Sequence, residues 1–198
     1  MVSDSTKTIA VVIVLGVVLA ATSTLFMRMD ANEMTLKARD VGPGWQEGWR
    51  QSPIFPANIT NTINLTFSEI TIMSNETSII SAELWVFESP EASLGWFQNK
   101  TIFIHWGEDA GVGDLGCIYR YGGNVAYIVS IDGRVFQANS SNIVGLMFIE
   151  ANVLSIITVS VKGVDTPTQP WIWNFAVELG MIQLEKIDQY LAQHPGAS

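Results

Sequence analysis

Hydrophobic and polar positions follow several rhythms along this chain, and the first has no polar beat at all. From Thr8 to Met27 no charge interrupts an apolar run bracketed by Lys7 and Arg28. At about 1.5 Å per residue, a helix over it would cover roughly the 30 Å hydrocarbon core of a bilayer. A helix packed on a soluble core shows a polar face, and this run has none. It reads as an uncleaved transmembrane anchor. The competing reading is a secretory signal cleaved near the small residues Ala20 and Ala21. Mixed charge from Asp30 to Arg39 reads as a stalk, ended where Pro43 between Gly42 and Gly44 forbids helix. The expected organisation is a tail over 1–7, a span over 8–27, a juxtamembrane linker over 28–44, one domain over 45–192 and a flexible tail over 193–198.

Within the domain the rhythm changes to two and then to near four. Ile63, Leu65, Phe67, Ile70 and Ile72 alternate with a phase change near Ser68 and Glu69, which predicts a strand carrying a bulge or kink. Ile79 to Phe87 is a second β-rich run, paired with the first across the turn Ser74-Asn75-Glu76. Ser89 as N-cap and Pro90 at the first helical position open a helix that Ala92, Trp96, Phe97 and Ile104 continue to Trp106, with Gly107 as the stop. Five runs then follow: Cys117 to Tyr121, Val125 to Ile131, Arg134 to Ala138, Ile143 to Ile149 and Val153 to Val161. The short turns Gly122-Gly123-Asn124, Asp132-Gly133 and Glu150-Ala151-Asn152 between them predict an antiparallel meander. Pro170 opens a last helix whose Ile172, Phe175, Ala176, Leu179, Ile182, Ile187 and Tyr190 share one face, with Gln183 and Lys186 intruding. The predicted fold is α+β: an N-terminal transmembrane helix, then a mostly antiparallel sheet packed with two helices.

Composition adds location and subtracts partners. The 198 residues carry a formal net charge of -9 and no basic stripe, which disfavours nucleic acid and anionic lipid headgroups. The single cysteine, Cys117, cannot form an intramolecular disulfide, and as part of a strand it reads as a buried, inert thiol. With no cysteine at the apolar run, a lipobox is excluded. Five sequons, at Asn58, Asn64, Asn75, Asn99 and Asn139, follow the run and suit an exported, glycosylated surface. Arg28, Lys37 and Arg39 against Lys7 argue for the opposite orientation. The sequons carry more weight here, so the expected location is a cell membrane, single-pass, with the C-terminal domain outside.

Candidate chemistry is sparse. His105, Glu108 and Asp109 form the one cluster of imidazole and carboxylates, but Gly107 lies among them and the second histidine, His194, is in the tail. No metal and no cofactor is expected. Asp114, among glycines just before a strand, suits backbone donors in its turn, with a binding role as the rival. Trp45 and Trp49 at i, i+4, with Trp171 and Trp173 at the start of the last helix, suit either core packing or an aromatic platform for a ligand such as a sugar ring. There is no Gly-x-Ser-x-Gly and no phosphate loop.

Leu36 with Asp40-Val41-Gly42-Pro43-Gly44-Trp45, Ser89-Pro90-Glu91-Ala92 opening a helix, Val112-Gly113-Asp114 before strands, and Phe148-Ile149-Glu150-Ala151-Asn152-Val153 before a terminal helix together resemble extracytoplasmic sensor-like and lipoprotein-type domains. PknH-type receptor-kinase sensor domains belong here and, more distantly, PsbP-like folds. The resemblance spans about residues 34 to 192, departs in lacking paired cysteines, and implies an antiparallel sheet with helices and membrane anchoring but no catalytic residue. The expected function is a membrane-anchored, non-catalytic binding or sensor-like module of the cell surface, touching the bilayer through residues 8–27 and an envelope or membrane-protein partner. The alternatives are an accessory single-pass subunit of a larger membrane complex and an enzyme built on His105 with Glu108 or Asp114.

Overall fold

The structure, a computed structural model, describes residues 32–51, 65–101, 107–120, 127–131, 134–138, 143–161 and 170–194. The chain divides into two compact units, Met1–Glu33 and Met34–Ser198, and the second carries every element that follows. A one-turn helix α1 (Ala38–Val41) precedes β1 (Gln46–Gln51), β2 (Leu65–Ser74) and β3 (Ser78–Phe87). Helix α2 (Pro90–Thr101) leads to β4 (Glu108–Asp109), β5 (Leu115–Arg120), β6 (Tyr127–Ile131), β7 (Arg134–Ala138), β8 (Ile143–Glu150) and β9 (Val153–Val161), and α3 (Pro170–Gln193) closes the chain.

Seven of these strands form one antiparallel sheet in the order β1-β2-β3-β9-β8-β5-β4. Successive side chains of a strand point to opposite faces, so adjacent residues of β8 meet different helices. Met147 and Ile149 join Trp85, Phe87, Tyr119 and Leu154 beneath Phe97 of α2. Leu146, on the other face, lies against Gly180 of α3. Coverage on both faces explains why β8 reads as a near-continuous apolar run instead of an alternation.

Both-sided coverage also corrects the reading of β2. Ser68 and Glu69 are both buried, and the register against β3 runs unbroken from Phe67 to Ser74. The irregularity sits between Leu65 and Phe67, not at Ser68-Glu69. The phase change in hydrophobicity arises because residues on either side of this strand are covered, so polarity does not sort them by face.

The meander is corrected as well. After β5 the chain leaves the sheet, β6 and β7 pair with each other as a separate two-stranded sheet, and the chain returns to place β8 beside β5. A Cβ on Gly145 would stand 2.5 Å from the Tyr119 ring, so glycine here lets that ring lie across β8. Local turn chemistry specifies a hairpin but not which distant strand becomes a neighbour. The turns at 122–124 and 132–133 lie outside the described residues. The last one is seen: Ala151 and Asn152 join the paired Glu150 and Val153.

The expected membrane span is a further correction. Among the described residues no helix is long and apolar enough to cross a membrane, and residues 8–27 lie outside them. The long helix α3 carries Glu178, Glu185, Lys186 and Asp188, and of its apolar positions Ile172, Ala176, Leu179, Ile187 and Tyr190 are buried while Trp171 and Met181 are exposed. The architecture is α+β, an antiparallel sheet packed with helices. No described helix supports the transmembrane part of the fold class, the bilayer as a partner through 8–27, the membrane-anchored function with its single-pass-subunit alternative, the signal-anchor topology or the cell-membrane location with its C-terminal domain outside.

Candidate functional site

Helix α3 sorts its first-turn aromatics by angle. At about 100° per residue, Trp171 and Phe175 share one side while Ile172 and Ala176 turn to the sheet, where both are buried. Trp173 takes a third direction, half-buried with the Arg120 guanidinium 5.7 Å from its ring centroid. Opposite Phe175 comes Trp45, delivered by the Gly42-Pro43-Gly44 turn, where Gly44 has φ 88, a left-handed value that glycine takes without steric cost. The Trp45 and Phe175 ring centroids are 6.0 Å apart at an interplanar angle of 31°, and those of Trp171 and Phe175 are 6.2 Å apart at 47°. The result is a rank of three rings, half-buried at Trp45 and Phe175 and 47% exposed at Trp171. Of the four tryptophans expected to form a platform, the structure joins Trp45 and Trp171 through Phe175 and sends Trp173 elsewhere. Trp49 stands on β1 opposite Ile72, and its side chain is not among those described.

Asp114 belongs to a different place. Gly113, at φ 70, brings the backbone so close to Ile149 O that no Cβ fits. Asp114 N–H then donates to Ile149 O at 2.8 Å, and its Oδ2 accepts the N–H of Ala151 at 3.0 Å. Ala151 holds φ 51, a conformation that costs a non-glycine residue roughly 1–2 kcal/mol. The buried Ser93 hydroxyl, from α2, lies 2.8 Å from Ala151 O. Asn152 donates from Nδ2 to Phe87 O at 3.0 Å and accepts from Phe87 N–H at 2.9 Å. Two of the short motifs singled out in the sequence, those at Val112–Asp114 and Phe148–Val153, thus meet at one clamp around the β8–β9 turn, to which Ser93, just after the Ser89–Ala92 motif, adds its hydroxyl. The carboxylate is engaged in holding that turn.

The other candidates are dispersed. Glu108 and Asp109 are exposed on the two-residue edge strand β4, and Asp109 Oδ1 accepts Gly111 N–H at 2.9 Å. His105 lies outside the described residues. Among the described residues no three His, Cys, Asp or Glu side chains gather closely enough for a metal ion. Cys117 is half-buried, opposite Asp109. Burial and then the Asp109 charge push its thiol up, away from the reactive thiolate. Of the sequons, Asn99 is exposed on α2. Asn75 holds the β2–β3 turn, its Oδ1 accepting Thr77 N–H at 2.9 Å and Ser78 N–H at 2.7 Å. Asn58, Asn64 and Asn139 lie outside the described residues.

No family profile matches the sequence, and no curated protein does. Among solved structures the chain is similar to the extracellular domain of PknH from Mycobacterium tuberculosis, at 9% sequence identity and a TM-score of 0.49 over 80% of this chain and 94% of that one. This is a distant, generic relationship of fold, and no residue role follows from it.

Two features escaped the sequence reading. Gln183, 1% exposed, accepts Leu36 N–H on Oε1 at 3.0 Å and donates from Nε2 to Met34 O. Lys186 pairs with Asp40, whose Oδ2 also accepts Lys37 N–H at 2.9 Å. The two polar residues that intrude on the apolar face of α3 therefore fasten the segment from Met34 to Asp40 onto it. Their signal was visible as a break in periodicity without a partner to explain it. The second feature is Glu83 on β3, whose carboxyl burial pushes up, partly offset by the Trp85 indole N–H donating to Oε2 at 3.3 Å. An acid within a β-rich run normally marks a solvated side, whereas Glu83 is only partly exposed, beside the Trp85 indole.

Proposed function

We propose that this chain is a non-enzymatic recognition domain that receives its partner on the aromatic rank Trp45, Phe175 and Trp171. The observation that carries this reading is the outermost ring, large and half in water, at the end of a stack held by a helix that the sheet buries along its inner side. Aromatic contacts of this kind contribute about 0.5–1.5 kcal/mol each beyond the area they bury, which suits a pre-ordered landing surface. The carboxylates that would be drafted into catalysis support the same reading: Asp114 holds a turn, and Glu108 and Asp109 stand in solvent on an edge.

The test is fluorine NMR on chain labelled with 5-fluorotryptophan, titrated separately with maltohexaose and with a synthetic amphipathic peptide of Lys and Leu. Trp171→Ala assigns the resonance. A probe that shifts Trp171 and Trp45, emerges chemically unchanged and loses its effect in Trp171→Ala supports the reading. Shifts confined to other tryptophans, or a probe converted to product by wild type and Trp171→Ala alike, overturn it.

A further inference from the structure

The solvent side of α3 is not an ordinary polar helix face. Trp171 and Met181 are 47% and 50% exposed, two of the three most exposed large hydrophobic side chains among the described residues. Ten residues apart, they are separated by roughly 15 Å along the axis. Between and beyond them on the same side stand Glu178, Glu185 and Asp188, all exposed. None of these carboxylates has a Lys or Arg three or four residues away that would pair with it from this face. The one cation nearby on the helix, Lys186, is already paired with Asp40. The last turn holds no basic residue.

Both features run against the helix's own preferences. Like charges gathered on one exposed face repel one another, and exposed Trp and Met leave apolar area in water. The acidic field is felt by the neighbouring turn: Asp188 and Asp114 both raise the pKa of Glu150, behind burial as the largest cause. A partner with Lys or Arg groups flanking apolar side chains relieves both costs at once.

Resting on the recognition reading above and extending it from Trp171 along the helix, we infer that the outer face of α3 docks a basic, amphipathic segment of a partner protein. Trp171 and Met181 receive its apolar side chains, and Glu178, Glu185 and Asp188 its cationic groups. Charge complementarity selects this occupant over a neutral or acidic one.

The experiment titrates the full chain with the Lys and Leu peptide by calorimetry at low and high salt. Binding is expected to weaken at least about tenfold from roughly 50 mM to 500 mM salt, because these carboxylates are exposed and screened. The double variant Glu178→Gln, Glu185→Gln and the single variant Met181→Ala are each expected to lose about tenfold in affinity at low salt, in line with hot-spot truncations. Glu108→Gln with Asp109→Asn, exposed on the edge strand β4 and outside the α3 face, is expected to bind as wild type does. Equal loss in that control pair, or full affinity in the α3 charge variant, overturns the inference. If maltohexaose shifts Trp171 and the peptide does not, the inference falls and the recognition reading stands. If neither probe touches the rank, both fall.

Discussion

Asp114 illustrates how much a single carboxylate can be asked to hold. It bridges Gly113 and Ala151, two residues with positive φ on segments about forty positions apart in sequence. Replacing it with Ala removes this hydrogen bond at an exposed turn, where water can take up the Ala151 N–H, and is expected to cost about 0.5–1 kcal/mol in a chemical denaturation series. Ala151→Gly should move the other way by about 0.5 kcal/mol, the relief of left-handed strain exceeding the entropy that glycine adds to the unfolded chain. The sequence pointed to Asp114 as a partner for backbone donors, since an acid among glycines suits a turn. It could not say that the donor would come from the β8–β9 turn, because that proximity exists only once β5 and β8 pair.

At the scale of elements, α3 does two jobs with opposite faces. Its inner face buries Ile172, Ala176, Leu179 and Ile187, and this stripe was legible from the 3.6-residue period. Gln183 sits in the same stripe and serves as a double clasp for the chain around Leu36. Gln183→Leu would fill the space with the right polarity for the core, yet leave Leu36 N–H and Met34 C=O without that partner. An unfolding free energy lower by about 2 kcal/mol is expected, with the loss read by denaturant titration. Gly145→Ala tests the β5–β8 contact independently. The added methyl would collide with the Tyr119 ring, 2.5 Å away, and overpacking of this kind costs about 1–3 kcal/mol. A variant as stable as wild type would mean that Tyr119 can leave its place.

For the whole molecule, Glu83 sets a pH dependence whose sign follows from burial. Its folded pKa is raised above the ordinary 4.5. The folded state therefore binds this proton more tightly than the unfolded one, and the stability it contributes is full below about pH 4.5 and lost as pH rises through the folded value. Glu83→Gln keeps the shape and removes the titration. The melting temperature of the variant minus that of wild type should be near zero below pH 4.5, grow with pH above it and then level. A difference constant across that range would place the cause elsewhere. At this scale the acidic balance also has a location: part of it is gathered on the outer side of α3, where no count of charges along the chain would reveal it.

By itself the sequence determined which segments become strands and helices in most of the domain, because period, capping residues and turn residues act over a few positions. It also determined that β2 with β3 and β8 with β9 would pair antiparallel, since their short turns leave no room for crossovers, whereas the pairing of β3 with β9 and of β5 with β8 is not encoded in any turn. Tertiary structure alone decided that β8 returns to β5 past an inserted hairpin, that Gln183 and Lys186 are fastenings, and that Trp45 and Trp171 meet across Phe175 while Trp173 does not. Each of these depends on contacts between residues far apart in the chain, which are settled by the joint packing of both sheet faces and leave no periodic trace in any one segment.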